Sequence, residues 1–308
     1  YPRVGCGPLK EAIADYEYTK KEYLICGNGA ADLNFSLSRA LNPKMALLPA
    51  PTFAEYEQAL ISVGCEISRY YLKEENDFCI QKDYPDVLKR EKPDIIFLCN
   101  PNNPTGNLIP EDILVNILDI CRDRNIVVVA DECFLRFNPQ YEIISCKRFL
   151  DDYDNLVIIN AFTKFYAMAG IRLGYMMSAN TELINRVSLQ LPEWNVSSVA
   201  QRAGIAAFAD KDYEKYTHEL IQRERQFLFN ELSDMKCIVY PSQADYLTFR
   251  LPQSKAGCMI QEELLKHGIL IRSCGSYHNM PADCYRIAVK QHADNEVLIN
   301  NMRQILEV

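Results

Sequence analysis

Short apolar runs recur between residues 46 and 178, and stretches with apolar residues at helical spacing separate most of them. The runs at 46–48, 66–72, 94–99, 126–131, 156–162 and 172–178 read as strands. Ile126-Val127-Val128-Val129 is β-branched and shows no polar alternation, which marks a central strand buried on both faces of a parallel sheet. Only the loop around Lys164 separates the last two runs, so that pair is expected to be antiparallel. The alternation predicts an α/β fold, with a mostly parallel sheet covered by helices. From about residue 211 the pattern changes: 211–235 predicts one long charged helix, followed by shorter strands at 245–251, 269–273 and 285–289. The expected organisation is a large domain at 1–210 and a smaller α+β domain at 211–308.

The polar residues that end these runs carry the candidate chemistry. The run Leu156 to Ile159 leads into Asn160-Ala161-Phe162-Thr163-Lys164. A lysine at the end of a buried strand is expected to be partly desolvated, which lowers its affinity for a proton and makes it a nucleophile. Such an amine forms a Schiff base with an aldehyde. Thr163 beside it and Arg172 farther on supply a hydroxyl and a cation, which suit an aldehyde cofactor carrying a phosphate. A lysine at a strand end is more commonly a solvated surface residue, so three other segments matter. Asp131 ends the 126–131 run, and a carboxylate there is costly unless a cation pairs with it. A protonated pyridine nitrogen would serve; a helix cap or a structural ion pair is the bland alternative. Cys99-Asn100-Pro101-Asn102-Asn103-Pro104-Thr105-Gly106 follows another run and reads as a rigid turn that presents Asn103 at the carboxyl edge of a sheet. Gly27-Asn28-Gly29-Ala30 opens a helical pattern and offers free backbone N–H groups to a phosphate.

Together these segments, in this order, resemble the pyridoxal-phosphate enzymes of the aspartate-aminotransferase fold, the class I/II aminotransferase superfamily. The resemblance covers nearly the whole chain and implies the following roles. Lys164 would bind pyridoxal 5'-phosphate covalently. Asp131 would pair with the pyridinium nitrogen and keep the ring an electron sink. Asn103 would bond the ring's phenolate oxygen, and Gly29, Ala30, Thr163 and Arg172 would cradle the phosphate. Phe53 would stack on the ring, although an ordinary core aromatic is a real alternative. Arg286 would hold the substrate α-carboxylate bidentately. Tyr1 would reach the cofactor phosphate of a neighbouring subunit, which implies a homodimer.

Within the superfamily the chain most resembles two subgroups that act on phosphorylated substrates, threonine-phosphate decarboxylase of cobalamin synthesis and histidinol-phosphate aminotransferase. Phe134 stands where the aminotransferases usually present a tyrosine whose hydroxyl bonds the ring oxygen. Thr163-Lys164-Phe165-Tyr166 and Trp194-Asn195-Val196-Ser197 also look like the decarboxylase. The resemblance therefore implies a decarboxylase of an O-phospho-L-amino acid, giving aminopropanol phosphate or ethanolamine phosphate; the alternative is a histidinol-phosphate-type transaminase using 2-oxoglutarate. A non-enzymatic sensor domain of a transcription regulator reuses the same fold and is the third reading. Arg272 matches an arginine that holds the substrate phosphate, with a carboxylate-paired strand-edge arginine as the alternative; Lys290 is a candidate second cation. Ala161 stands where both subgroups usually carry Ser or Thr, Cys6-Gly7-Pro8 replaces an expected Asp-Cys-Arg-like stretch, and Pro192-Glu193-Trp194 has one residue more between proline and tryptophan than the decarboxylase pattern. These families also carry an N-terminal arm ahead of the Tyr-Pro pair, which closes over the substrate.

Composition narrows the setting. A net charge of −8 argues against a nucleic-acid surface, and no apolar segment is long enough to span a bilayer. The 12 cysteines are scattered with no C-x-x-C pair, so metal-site spacing is absent, and thiols in this number fit a reducing cytoplasm.

Overall fold

A computed structural model describes residues 1–255 and 257–307. Seven strands form one sheet: β1 (Leu24–Gly27), β2 (Met45–Ala50), β3 (Glu66–Tyr71), β4 (Ile95–Cys99), β5 (Val127–Asp131), β6 (Leu156–Ala161) and β7 (Gly174–Met177), in the order β1-β7-β6-β5-β4-β2-β3. The strands from β3 through β6 pair in parallel, and β7 lies antiparallel to β6 as the short intervening loop requires. The strand β1 was not expected. Its four buried residues are too few for a periodicity, and antiparallel pairing with β7 makes them a strand.

Every residue of β4 is buried, and the alternation within the central strands divides the core into two faces. Phe97, Val129 and Ile159 point to one buried cluster, whereas Ile96, Val128 and Ile158 point to the other. Each such side chain stabilises the fold by roughly 1.5–3 kcal/mol through burial. This is why the runs read as continuously apolar.

The helix Lys211–Asp234 follows, capped by the Asp210 side chain, which accepts from the Tyr213 N–H at 3.0 Å. Thr217, Ile221, Glu224, Leu228 and Leu232 form its buried stripe, at the spacing of one helix face. Beyond it lies a four-stranded antiparallel sheet of β8 (Ile238–Val239), β9 (Tyr246–Arg250), β10 (Arg272–Ser273) and β11 (Cys284–Ala288), in the order β10-β11-β9-β8. The expected strand at 269–273 is reduced to its last two residues. One buried cluster continues from beneath the large sheet to Leu247, Phe249 and Ile287 in the second.

All twelve cysteines are free, and all but Cys79 and Cys258 are buried. Among the described residues no helix is long and apolar enough to cross a membrane, and no group of three or more His, Cys, Asp or Glu is placed to hold a metal.

Candidate active site

The strands β4 and β5 end in register, with Cys99 opposite Asp131, and β6 runs two residues past Ile159, which lies opposite Asp131. The polar residues that follow each strand therefore converge at one carboxyl edge, where open α/β sheets bind ligands. Asp131 is buried there. Its Oδ2 accepts from the Tyr56 hydroxyl at 2.6 Å and its Oδ1 from the Cys133 N–H at 3.0 Å. Tyr56 is fully buried and stacks on Phe97. Burial pushes its phenol well above the ordinary tyrosine range, so it remains a donor. Among the described residues no Lys, Arg or His lies within ion-pair distance of Asp131. A buried carboxylate without a cation is costly, so this position suits a cationic ligand group.

The loop after β4 is stiffened by its own asparagines. Asn102 Nδ2 donates to Pro51 O and Thr105 Oγ1, and Asn100 Oδ1 accepts from the Ile109 N–H. Gly106 takes φ +80°, open to a residue without a side chain. Asn103 Oδ1 accepts from the Tyr277 hydroxyl and from Arg286 Nη1. Its carbonyl oxygen is thus engaged, and its Nδ2 is the group left to donate to a ligand oxygen.

The anion end lies between β1 and β7. Gly29 precedes the helix Ala30–Leu41 at φ +86°. A Cβ there would stand 2.7 Å from Arg172 Nη2, so the bare backbone passes directly against the guanidinium. Asp32 Oδ2 ties the turn down by accepting from the Asn28 N–H at 3.0 Å and from Asn195 Nδ2 at 2.6 Å. Backbone donors, a helix N-terminus and an arginine in this arrangement form a cradle for a phosphate.

One cavity is lined by Ala30, Phe53, Asn103, Asp131, Thr163, Lys164 and Arg172, with Phe134 and Glu55 beside them. Burial raises the Glu55 carboxyl above its ordinary range, against the pull of Arg172. Lys164 differs from expectation: its side chain is exposed rather than desolvated, because the turn after β6 carries it out of the strand. Its Nζ sits 5.3 Å from the centre of the Phe134 ring. Tyr1 lies outside this cavity, fully exposed and 5.4 Å from the Trp194 ring. Arg286, on β11, lies over Tyr246 at 4.8 Å and stands directly opposite Arg272 on β10. Arg272 lines a neighbouring cavity that shares Phe53 with the first. Lys290 is not there; it pairs with Asp294 at 2.9 Å. Tyr56 and Tyr277 were missed from the sequence, although Tyr56 sits at helical spacing from Phe53.

A model of the family "Aminotransferase class I and II" matches residues 2–302. The chain belongs to this family. Its fold is aspartate-aminotransferase-like, and its cofactor is pyridoxal phosphate. The Asp131 carboxylate without a cation and the Gly29–Arg172 cradle fit that group, and Asp131 and Arg172 line the same cavity. This family member is 32% identical to a threonine-phosphate decarboxylase of Salmonella typhimurium over 99% of the chain and 83% of that protein. It is 30% identical to a histidinol-phosphate aminotransferase of Ruminiclostridium cellulolyticum, over 99% of the chain and 83% of that protein. Among solved structures, a histidinol-phosphate aminotransferase from Clostridium acetobutylicum superposes with a TM-score of 0.91 at 27% identity, covering 100% of this chain and 90% of that one.

Proposed function

We propose that this enzyme decarboxylates an O-phospho-L-amino acid, threonine phosphate or serine phosphate, releasing carbon dioxide and the corresponding amine phosphate. Phe134 carries this reading. It lines the cavity beside Lys164 and meets Tyr246 edge to face at 5.0 Å, where the resembling aminotransferases place a tyrosine. The Tyr246 hydroxyl does not replace the missing donor, because it donates to Asn102 O at 2.8 Å. Asn103 is then the side-chain donor for the cofactor's phenolate oxygen, and one hydrogen bond of about 1 kcal/mol is given up. That change alters the electron demand of the ring.

The cofactor, when bound, withdraws electrons from the Cα of the amino acid it holds. The chain supplies the rest. Asp131 would stabilise a positive charge on the ring nitrogen. Gly29, Ala30, Thr163 and Arg172 would hold the cofactor phosphate, and Phe53 would pack against the ring. Arg286 binds the α-carboxylate. In decarboxylation the Cα–carboxyl bond breaks, its electron pair stays on Cα, and carbon dioxide leaves. Lys164 then delivers a proton to Cα. The substrate's phosphate is assigned to Arg272. Like charges directly opposite on paired strands are destabilising, which the Arg272–Arg286 pair relieves when each guanidinium faces its own anion.

Transamination is the second reading, favoured by the histidinol-phosphate aminotransferase relative. The same residues serve it if Lys164 removes a Cα proton instead. We further place the large cofactor-binding domain at 1–210 and the small one at 211–308, in a cytoplasmic homodimer whose Tyr1 completes the neighbour's phosphate cradle.

Product identification tests the reading. Purified enzyme with pyridoxal phosphate is incubated with O-phospho-L-threonine, O-phospho-L-serine, or histidinol phosphate plus 2-oxoglutarate, and products are read by mass spectrometry. An amine phosphate formed without an oxo acid is expected. Glutamate formed only when 2-oxoglutarate is present would establish the transaminase instead.

A further inference from the structure

The cavity beyond Phe53 contains charge that the reading above leaves unused. Its volume is about 160 Å³, and Arg272, Arg69, His278 and Glu57 all line it. Arg272 enters from β10, Arg69 from the edge strand β3, and His278 from the loop between β10 and β11.

Arg69 and His278 share one counter-ion. Arg69 Nη2 lies 2.5 Å from Glu57 Oε1, and His278 Nε2 lies 3.2 Å from Glu57 Oε2. The same Arg69 nitrogen is 3.3 Å from His278 Nε2. Two nitrogen groups are therefore gathered around a single carboxylate, the arrangement that a small oxyanion needs. The side chains of Arg69 and Glu57 are 22% and 25% exposed, against 84% and 65% for the surface pair Lys82–Asp112. Screening by water is correspondingly weaker for the cavity pair, so its charges retain more of their pull on a ligand.

A phosphate dianion is not balanced by one guanidinium. Arg286 is bonded to Asn103 and Lys290 is paired with Asp294. Arg272 lines the cavity from the second sheet and Arg69 from the large one, with His278 beside Arg69.

We propose that Arg69 and His278 form the second half of the substrate-phosphate subsite, and that Glu57 is the internal carboxylate the phosphate displaces from them. This rests on the phosphorylated-substrate reading above. Glu57 makes the subsite selective. A substrate with a neutral side chain leaves the Glu57 contacts intact and gains nothing from Arg69. A dianion outcompetes the single carboxylate and is then held from both sides.

Calorimetric titration of the cofactor-loaded enzyme with inorganic phosphate tests this without turnover. Chloride holds the ionic strength constant, and the bound cofactor already fills the Gly29–Arg172 cradle. Arg69→Gln is expected to weaken phosphate binding about tenfold, a loss of roughly 1.4 kcal/mol. Arg69→Lys recovers part of that affinity. Glu57→Gln is expected to tighten phosphate binding severalfold, an effect of opposite sign that a merely structural ion pair would not produce. Circular dichroism and cofactor absorbance verify that each variant is folded and loaded. If Arg272→Gln weakens phosphate while Arg69→Gln and Glu57→Gln leave it unchanged, this proposal fails and the phosphorylated-substrate reading stands. If the wild-type enzyme binds no phosphate, or Arg272→Gln binds it as well as wild type, both fail.

Discussion

At Gly29 the space a side chain would fill is taken by the Arg172 guanidinium, 2.7 Å from where a Cβ would stand. The φ of +86° excludes other residues independently of that contact. Gly29→Ala should therefore lower pyridoxal-phosphate affinity about tenfold or more. Titration of the cofactor-free protein measures it, and unaltered affinity would remove this loop from the phosphate cradle. Lys164→Ala should abolish the absorbance band of the covalently held cofactor; a surviving band would mean that another amine is the attachment point. Lys164 was legible because it follows an apolar run, where a polar group calls for a reason, and Gly29 because a glycine loop there opens a helical pattern. Tyr56, Arg69 and Tyr277 were not, since nothing beside them in the chain records the carboxylate or amide they meet in space.

Among the elements, the first helix, Gly7–Glu17, is tied to the large sheet by a buried charge. Glu17 pairs with Arg136 at 2.5 Å and Lys147 at 3.0 Å, and the Tyr175 hydroxyl on β7 donates to it. Burial pushes the Glu17 carboxyl up, but Arg136 and Lys147 more than offset this and leave it below the ordinary range. Glu17→Ala strands the buried Arg136 and should cost about 3–5 kcal/mol, read as a lower urea midpoint. A loss under ~1 kcal/mol would show that the network relaxes into solvent. The sign in pH follows from the lowered folded pKa. The stabilisation is complete above the ordinary carboxylate range and is lost as pH falls through the lower folded value, so the variant should lose less on acidification than the wild type. The strand β7 that carries Tyr175 also begins at Gly174, packed on the backbone of Gly29 and Ala30. The network thus supports the floor of the phosphate cradle.

On the scale of the whole molecule, the cavity lined by Asp131 and Lys164 is walled by the large sheet, while Arg286 and Arg272 arrive from the second sheet. Their placement depends on the buried cluster that runs between the two sheets. Tyr1 and Trp194 form an exposed aromatic pair outside that cavity, which suits contact with a second copy of the chain. The enzyme should sediment as a dimer, and Tyr1→Ala should weaken cofactor binding while the protomer stays folded. A monomer with undiminished affinity would refute the shared site.

The positions of β2 to β7, and the polar residues at their ends, were determined by the sequence itself. Strands buried on both faces carry few polar residues before they end, so Asp131, Asn103 and Lys164, at or just beyond the ends of β5, β4 and β6, announce the carboxyl edge. What each of them faces was decided by tertiary structure alone. Asn103 turns its oxygen to Arg286 from a residue distant in the chain, Lys164 opens to solvent, and Glu57 joins Arg69 to His278 across a cavity. Periodicity encodes burial, which is a local property of the chain. Partnership between charges depends on which segments the packed core brings together.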